Sequence, residues 1–206
     1  MYVPPQYANT NQNEIVQLIR EFSFATLVSV QNGLPLATHL PLHLHIPEDG
    51  AWQLVGHVAK ANPQWKGFTE NENVLAIFHG PHSYVSPSWY NHRNVPTWNY
   101  QAVHLSGRVQ LMEEADVENH LRELMAHYEH KHAASPQAYS DIPTHTLHTD
   151  LKGLVAFTIH VEKIEAVNKL SQGRDPDSYQ NIINELSQSD DENAKRIAHE
   201  MDKKRK

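Results

Sequence analysis

The sequence predicts a mainly β fold with helical insertions, arranged as an antiparallel barrel. Three observations lead there. About six extended segments are present, and most are joined by hairpin-type turns. Nowhere do strands alternate with helices in the βαβ rhythm that a parallel nucleotide-binding sheet requires. The 206 residues suffice for one domain with accessories and a substantial core, without internal repeats.

The first element is an amphipathic helix over Thr10 to Phe22, with Ile15, Leu18, Ile19 and Phe22 at helical spacing behind the candidate caps Thr10 and Asn11. Ala25 to Val30, the turn Gln31-Asn32-Gly33 and the run LPLATHLPLHLHI read as a β-hairpin. In its second strand Leu40, Leu42 and Leu44 alternate with His39, Pro41, His43 and His45, which makes one face apolar. A turn at Pro47-Glu48-Asp49-Gly50 leads to a third strand, AWQLVGHV. A short helix follows near Pro63, with Asn62 as its cap.

Strand Val74 to Gly80 precedes an aromatic loop that runs to Trp98. A long strand, YQAVHLSGRVQLM, comes next, with Gly107 marking a bulge or bend. Glu113 to Lys131 is a strong helix with Val117, Leu121, Leu124, Met125 and Tyr128 on one side, and Ala133 to Thr149 reads as irregular. The last long strand, GLVAFTIHVEKIEAV, ends at KLSQGRDPDS. Helix Tyr179 to Leu186 and a polar tail, frayed or loosely helical, complete the chain.

Composition removes whole classes of function. A net charge of −7 disfavours non-specific nucleic-acid binding through bulk electrostatics. Absence of cysteine excludes disulfides, thiolate metal sites and cysteine nucleophiles. MYVPPQYANTNQNEI lacks the basic start and apolar core of a signal peptide, and no window reaches membrane-spanning length, so the expected location is cytoplasmic. There is no phosphate loop, dinucleotide fingerprint, Gly-x-Ser-x-Gly or His-Glu-x-x-His. No catalytic residue is assigned.

Four features remain. Sixteen histidines include two tight groups, His39/His43/His45 and His127/His130/His132, but no carboxylate joins either at a recognised ligand spacing, and no metal is assigned. In GHVAKANPQW a strand end carrying His57 runs through Lys60 and Asn62 into a helix start, where an anion would be attracted; the alternative is an ordinary capped helix with an exposed lysine. Arg174 follows the final strand on a polar turn, as a ligand-carboxylate contact or a plain loop arginine. Between Gly80 and Gly107, Tyr84, Trp89, Tyr90, Trp98 and Tyr100 make a wall that suits a planar ligand or an interface. The basic end, Lys203 to Lys206, is a candidate contact for DNA phosphates.

The blocks THLPL, GHVAKANPQW, GPHSYVSPSWY, VPTWNYQAVH and KLSQGR, in this order, resemble PaiB-type proteins, FMN-binding split-barrel relatives linked to transcriptional regulation. The resemblance covers roughly 1–186 and implies a six-stranded antiparallel FMN-binding split β-barrel over those residues, with 187–206 as a separate tail. It also implies a two-fold homodimer with FMN at the interface. Thr38, His39 and Leu40 would run beside the ring, and His57, Lys60 and Asn62 would hold the phosphate. Trp98, Asn99 and Tyr100 would approach from the partner subunit, and Arg174 would close the site. Split-barrel oxidases that hold FMN firmly carry arginine where this chain has Thr38, and Ser-Arg-Lys where it has Ala59-Lys60-Ala61. Losing a guanidinium contact weakens phosphate binding by about 1.5–3 kcal/mol, so FMN is expected to be held weakly, or another planar ligand preferred. The implied role is negative regulation of transcription, with DNA as a partner by resemblance alone. A flavin-dependent oxidoreductase or flavin reductase, and a haem-binding or haem-degrading protein, are the alternatives.

Overall fold

Seven strands form one antiparallel sheet in the order β2-β1-β5-β6-β7-β4-β3: β1 Phe24–Gln31, β2 Leu34–Pro41, β3 His43–His45, β4 Gln53–Ala59, β5 Asn73–Val85, β6 Thr97–Leu111 and β7 Leu154–Lys169. The structure is a computed structural model and describes residues 1–69, 72–132 and 138–205. Five helices accompany the sheet among these residues: α1 Gln12–Glu21, α2 Glu114–His132, α3 Thr144–Lys152, α4 Pro176–Ser187 and α5 Glu192–Arg205. Three-residue 3-10 turns aside, a 3-10 helix covers Pro63–Thr69.

Local chemistry accounts for the start of the chain. The Asn11 side chain accepts from the backbone N–H groups of Asn13 and Glu14 and so caps α1, which buries Ile15, Leu18 and Ile19. Asn32 and Gly33 take positive φ values of 52° and 78°, the two-residue turn that matches strand twist, and β1 then pairs with β2 from Gln31↔Leu34 to Phe24↔Pro41.

Counting LPLATHLPLHLHI as one strand gives the six-stranded expectation. The structure divides it at Leu42, which is fully buried. Before that residue the chain pairs with β1; after it, His43–His45 pairs with Val55 to Gln53 of β4. β2 and β3 are therefore the two outer strands of the sheet, joined through one residue. The ladder is not closed by hydrogen bonds, yet the covalent chain ties one edge to the other. The result is an open seven-stranded sheet with its two edges bound together.

Two further expectations change. The aromatic stretch is not loop as far as Trp98, because β5 continues through Val85. Its inward positions shift phase where Gly80 and Pro81 are both buried, and this hides the strand from an alternation rule. Residues in the region read as irregular form α3, while 133–137 lie outside the described residues. Gly107 sits in β6 as a point of close approach: a Cβ there would collide with the His160 carbonyl, so only glycine fits.

Contacts group the chain into two units. One comprises Met1–Phe22, Phe78–His104 and Ile164–Lys206; the other comprises Ser23–Ile77 and Leu105–Lys163. In the first, α4 and α5 pack together, and Ile182, Leu186, Ile197 and Met201 share a buried cluster with Val85 and Leu170. The segment expected as a polar tail is thus a helix with an apolar stripe at Ala194, Ile197, Ala198 and Met201, all buried. In the second, Leu27, Leu54, Phe157 and Ile159 are fully buried, with Phe68 edge-on to Phe157 at 5.3 Å.

Candidate functional site

In the second unit the pleat of β2 separates three adjacent candidates. Leu40 is buried and Thr38 half-buried on one face, whereas His39 lies exposed on the other. His39 Nδ1 is 3.0 Å from Thr26 Oγ1, and its ring stacks with that of Phe24 at 6.5 Å. Thr38 Oγ1 accepts a 2.9 Å hydrogen bond from Asn62 Nδ2, so β2 and the turn after β4 meet through a bond between two predicted ligand residues.

That turn uses most of its polar groups internally. Asn62 Oδ1 accepts from the Gln64 N–H at 2.9 Å and caps the 3-10 helix. The Lys60 N–H donates to Gly153 O, the Asn62 N–H to Ala59 O, and Lys60 O accepts from Trp65 Nε1 at 2.9 Å. What remains for an anion is chiefly the Lys60 ammonium, which is exposed and has no ion-pair partner among the described residues. Gln64, which pattern reading passed over, is buried beneath the turn; its amide donates to Leu27 O, Ser29 Oγ and Leu36 O and ties the turn to β1 and β2.

His57 points at α2. Its Nδ1 is 3.1 Å from Nε2 of the buried His120, with the rings edge-on at 5.3 Å. Burial pushes the pKa of His57 down. His120 falls to about 4, first through burial and then through the neighbouring His57 and His43. His43 of β3 also meets His127 of α2 edge-on at 5.2 Å, so the strand and helix histidine groups touch; the side chain of His132 lies outside the described residues. Among the described residues no group of three or more acidic or histidine side chains is arranged to hold a metal ion.

The remaining candidates belong to the first unit. Trp98 is 53% exposed and Tyr84 43%, and their rings meet edge-on at 6.0 Å, with His82 at 6.2 Å from Trp98. Asn99 faces the opposite way and is fully buried. Its Oδ1 accepts from Ser171 Oγ at 3.0 Å, and its amide reaches Met201 Sδ at 3.4 Å. Tyr100 is half-buried on the Trp98 face. Arg174 lies over the ring of Tyr90, 5.0 Å from its centroid. Tyr90 itself is buried in the α4–α5 cluster and Trp89 packs against it, so both belong to the core of their own chain. Sequence reading also missed His104, whose Nδ1 is buried without a hydrogen-bond partner among the described residues and whose pKa is lowered, chiefly by burial. At the basic end, Lys203 pairs with Glu200 and Lys204 with Glu14, each at 2.7 Å, while Lys206 lies outside the described residues.

Comparison with known proteins gives a consistent result. The family profile described as "Putative FMN-binding domain" matches residues 1–163. The chain is 42% identical over 206 residues, 100% of its length and 99% of the relative's, to "Protease synthase and sporulation protein PAI 2" of Bacillus subtilis. This alignment includes the segment beyond 186. Among solved structures, the flavocytochrome Anf3 of Azotobacter vinelandii superposes with a TM-score of 0.64 at 17% identity, covering 87% of this chain and 78% of that one. The FAD and heme binding protein of Mycobacterium smegmatis gives 0.62 at 16% identity, with coverages of 85% and 78%. These two likenesses concern the fold. On the full-length identity and the family profile together, the chain belongs to the PaiB family of FMN-binding-domain proteins.

Proposed function

We propose that the chain is an FMN-binding homodimer of the cytoplasm that acts as a negative regulator of transcription. The observation that carries the flavin half of this reading is the Thr38–Asn62 hydrogen bond. It joins the strand expected to run beside the flavin ring to the turn expected to hold its phosphate, with the Lys60 ammonium exposed at that turn and without an ion-pair partner among the described residues. Lys60 supplies the charge for the phosphate. Thr38 and Leu40 offer backbone groups to the polar edge of the ring, and Trp98 and Tyr100 contribute aromatic surface from the partner subunit. Because Asn62 and His57 are engaged within the chain and the strand lacks arginine, the grip on FMN is weak.

The regulatory half is supported by membership of the family and by the Bacillus relative, whose printed name refers to protease synthase and sporulation. Direct DNA contact has less behind it: the net charge is −7, and Lys203 and Lys204 are neutralised by Glu200 and Glu14.

Titration of the purified protein with FMN tests the reading. Flavin fluorescence should be quenched to saturation at one FMN per chain, and no change by about 100 μM flavin would remove the flavin assignment. Salt-sensitive retardation of the chain's own promoter fragment would support direct regulation. Rapid bleaching of bound FMN by NADH or NADPH would instead make the protein a flavin-dependent oxidoreductase.

A further inference from the structure

A cavity of about 480 Å³ opens in the second unit where the turn after β4, the end of β6 and helices α2 and α3 converge. Neither Thr38, His39, Leu40, His57 nor Asn62 lines it. Trp65, Met112, Val117 and Leu154 belong to the apolar part of its walls, and Trp65 is fixed there by its indole bond to Lys60 O. Two cations complete the lining, Lys60 and Lys152. They stand at one end of the same strand pair, since Ala59 lies opposite Leu154 and the Lys60 N–H donates to Gly153 O at 2.7 Å. Neither lysine has an ion-pair partner among the described residues. Among the described residues the one acidic lining residue is Glu118, which is already held by Arg122 at 3.0 Å.

The volume falls in the range typical of small-molecule sites, which are mostly apolar with a few polar groups that fix orientation. Here both fixing groups are ammonium ions, and no backbone cradle or arginine fork of the kind that suits a phosphate dianion is among them. We infer that this cavity binds a small amphipathic carboxylate, its apolar body against Trp65, Met112, Val117 and Leu154 and its head between Lys60 and Lys152. Such a ligand sets one carboxylate between the two ammonium groups, halving their net charge and screening their repulsion, while covering the apolar wall, and an uncharged analogue can only do the second. Lys60 is also the residue proposed for the FMN phosphate, so the two ligands compete for its ammonium, whereas Lys152 is assigned to this cavity alone.

Calorimetric titration of the full chain with decanoate and with decanol tests the inference. Decanoate should bind at one per chain and decanol about ten-fold more weakly. Lys152→Ala, at an exposed position, should weaken decanoate about three- to ten-fold and leave the FMN titration unchanged. Val117→Trp, which fills the cavity, should abolish decanoate binding. Equal binding of decanol and decanoate, or an unaltered decanoate affinity in Lys152→Ala, overturns the proposal. So does a parallel loss of FMN and decanoate in Lys152→Ala, because the cavity would then be the flavin's own.

Discussion

His57 on β4 and His120 on α2 share one hydrogen bond of 3.1 Å between two imidazole nitrogens, which requires one ring to donate and the other to accept. Both must then be neutral or singly protonated as a pair, and burial favours the neutral state. His43 and His127 face them from β3 and α2. The unfolded chain binds more protons than the folded one between the ordinary histidine value of 6.5 and the value of about 4 for His120. Stability is accordingly full above that window and is lost as pH falls through it, by about 3 kcal/mol for His120. Urea melts between pH about 7.5 and about 4.5 should show this decline, and His120→Gln should flatten it. A wild-type profile that is flat over the window would contradict the assignment.

Lys60 and Asn62 are expected to separate binding from stability. Lys60→Ala should weaken FMN about ten-fold and leave the urea midpoint unchanged, because the side chain is exposed and has no ion-pair partner among the described residues. Asn62→Ala removes the cap of the 3-10 helix and the bond to Thr38, and should cost about 1–2 kcal/mol of stability. If Lys60→Ala keeps the parent FMN affinity in fluorescence titration, the phosphate is held elsewhere.

Trp98 and Tyr84 form an exposed pair of aromatic rings in the first unit. If two copies meet there, Trp98→Ala should raise the dimer dissociation constant about ten-fold or more in sedimentation velocity, with little change in the stability of each chain. A wild-type protein that sediments as a monomer at all concentrations would remove the homodimer.

Helix α5 is expected to be necessary for the first unit. Truncation after Ser187 removes Ala194, Ile197, Ala198 and Met201 from the cluster that covers Ile182 and Leu186. Ile197→Ala alone should cost about 2–4 kcal/mol, read as a shift in the denaturation midpoint. An unchanged midpoint in either variant would mean that the segment is a dispensable tail.

The signals that could be read early are local ones. Asn32-Gly33 prescribes its turn by backbone sterics, and Asn11 caps α1 through bonds two and three residues away, so both are written in neighbouring letters. Helix α5 was legible in principle, because Ala194, Ile197, Ala198 and Met201 keep the spacing of one helical face, but the surrounding charges masked it. Helix α3 offers few apolar residues among histidines and threonines and gave little to read.

Other features depend on partners far along the chain. The break at Leu42 is invisible in LPLATHLPLHLHI, which alternates straight through it; only pairing with β1 before it and β4 after it makes two strands of one run. Asn99 and Trp98 look equally available in sequence, yet the pleat sends one into the core against Ser171 and leaves the other in solvent.

By itself, then, the sequence determined the class of fold, the hairpins, the capped helices and the family, because turn sterics, capping and hydrophobic period act over a few residues and the five motif blocks carry the rest. Only the tertiary structure decided which candidate side chains remain available. Asn62 is spent on Thr38 and Gln64, His57 on His120, and Arg174 on Tyr90, while Lys60 has no ion-pair partner among the described residues and lines the cavity beside Trp65. The physical reason is competition: a polar group is open to a ligand only if packing has not already given it a partner, and of these partners Thr38, His120 and Tyr90 lie tens of residues away.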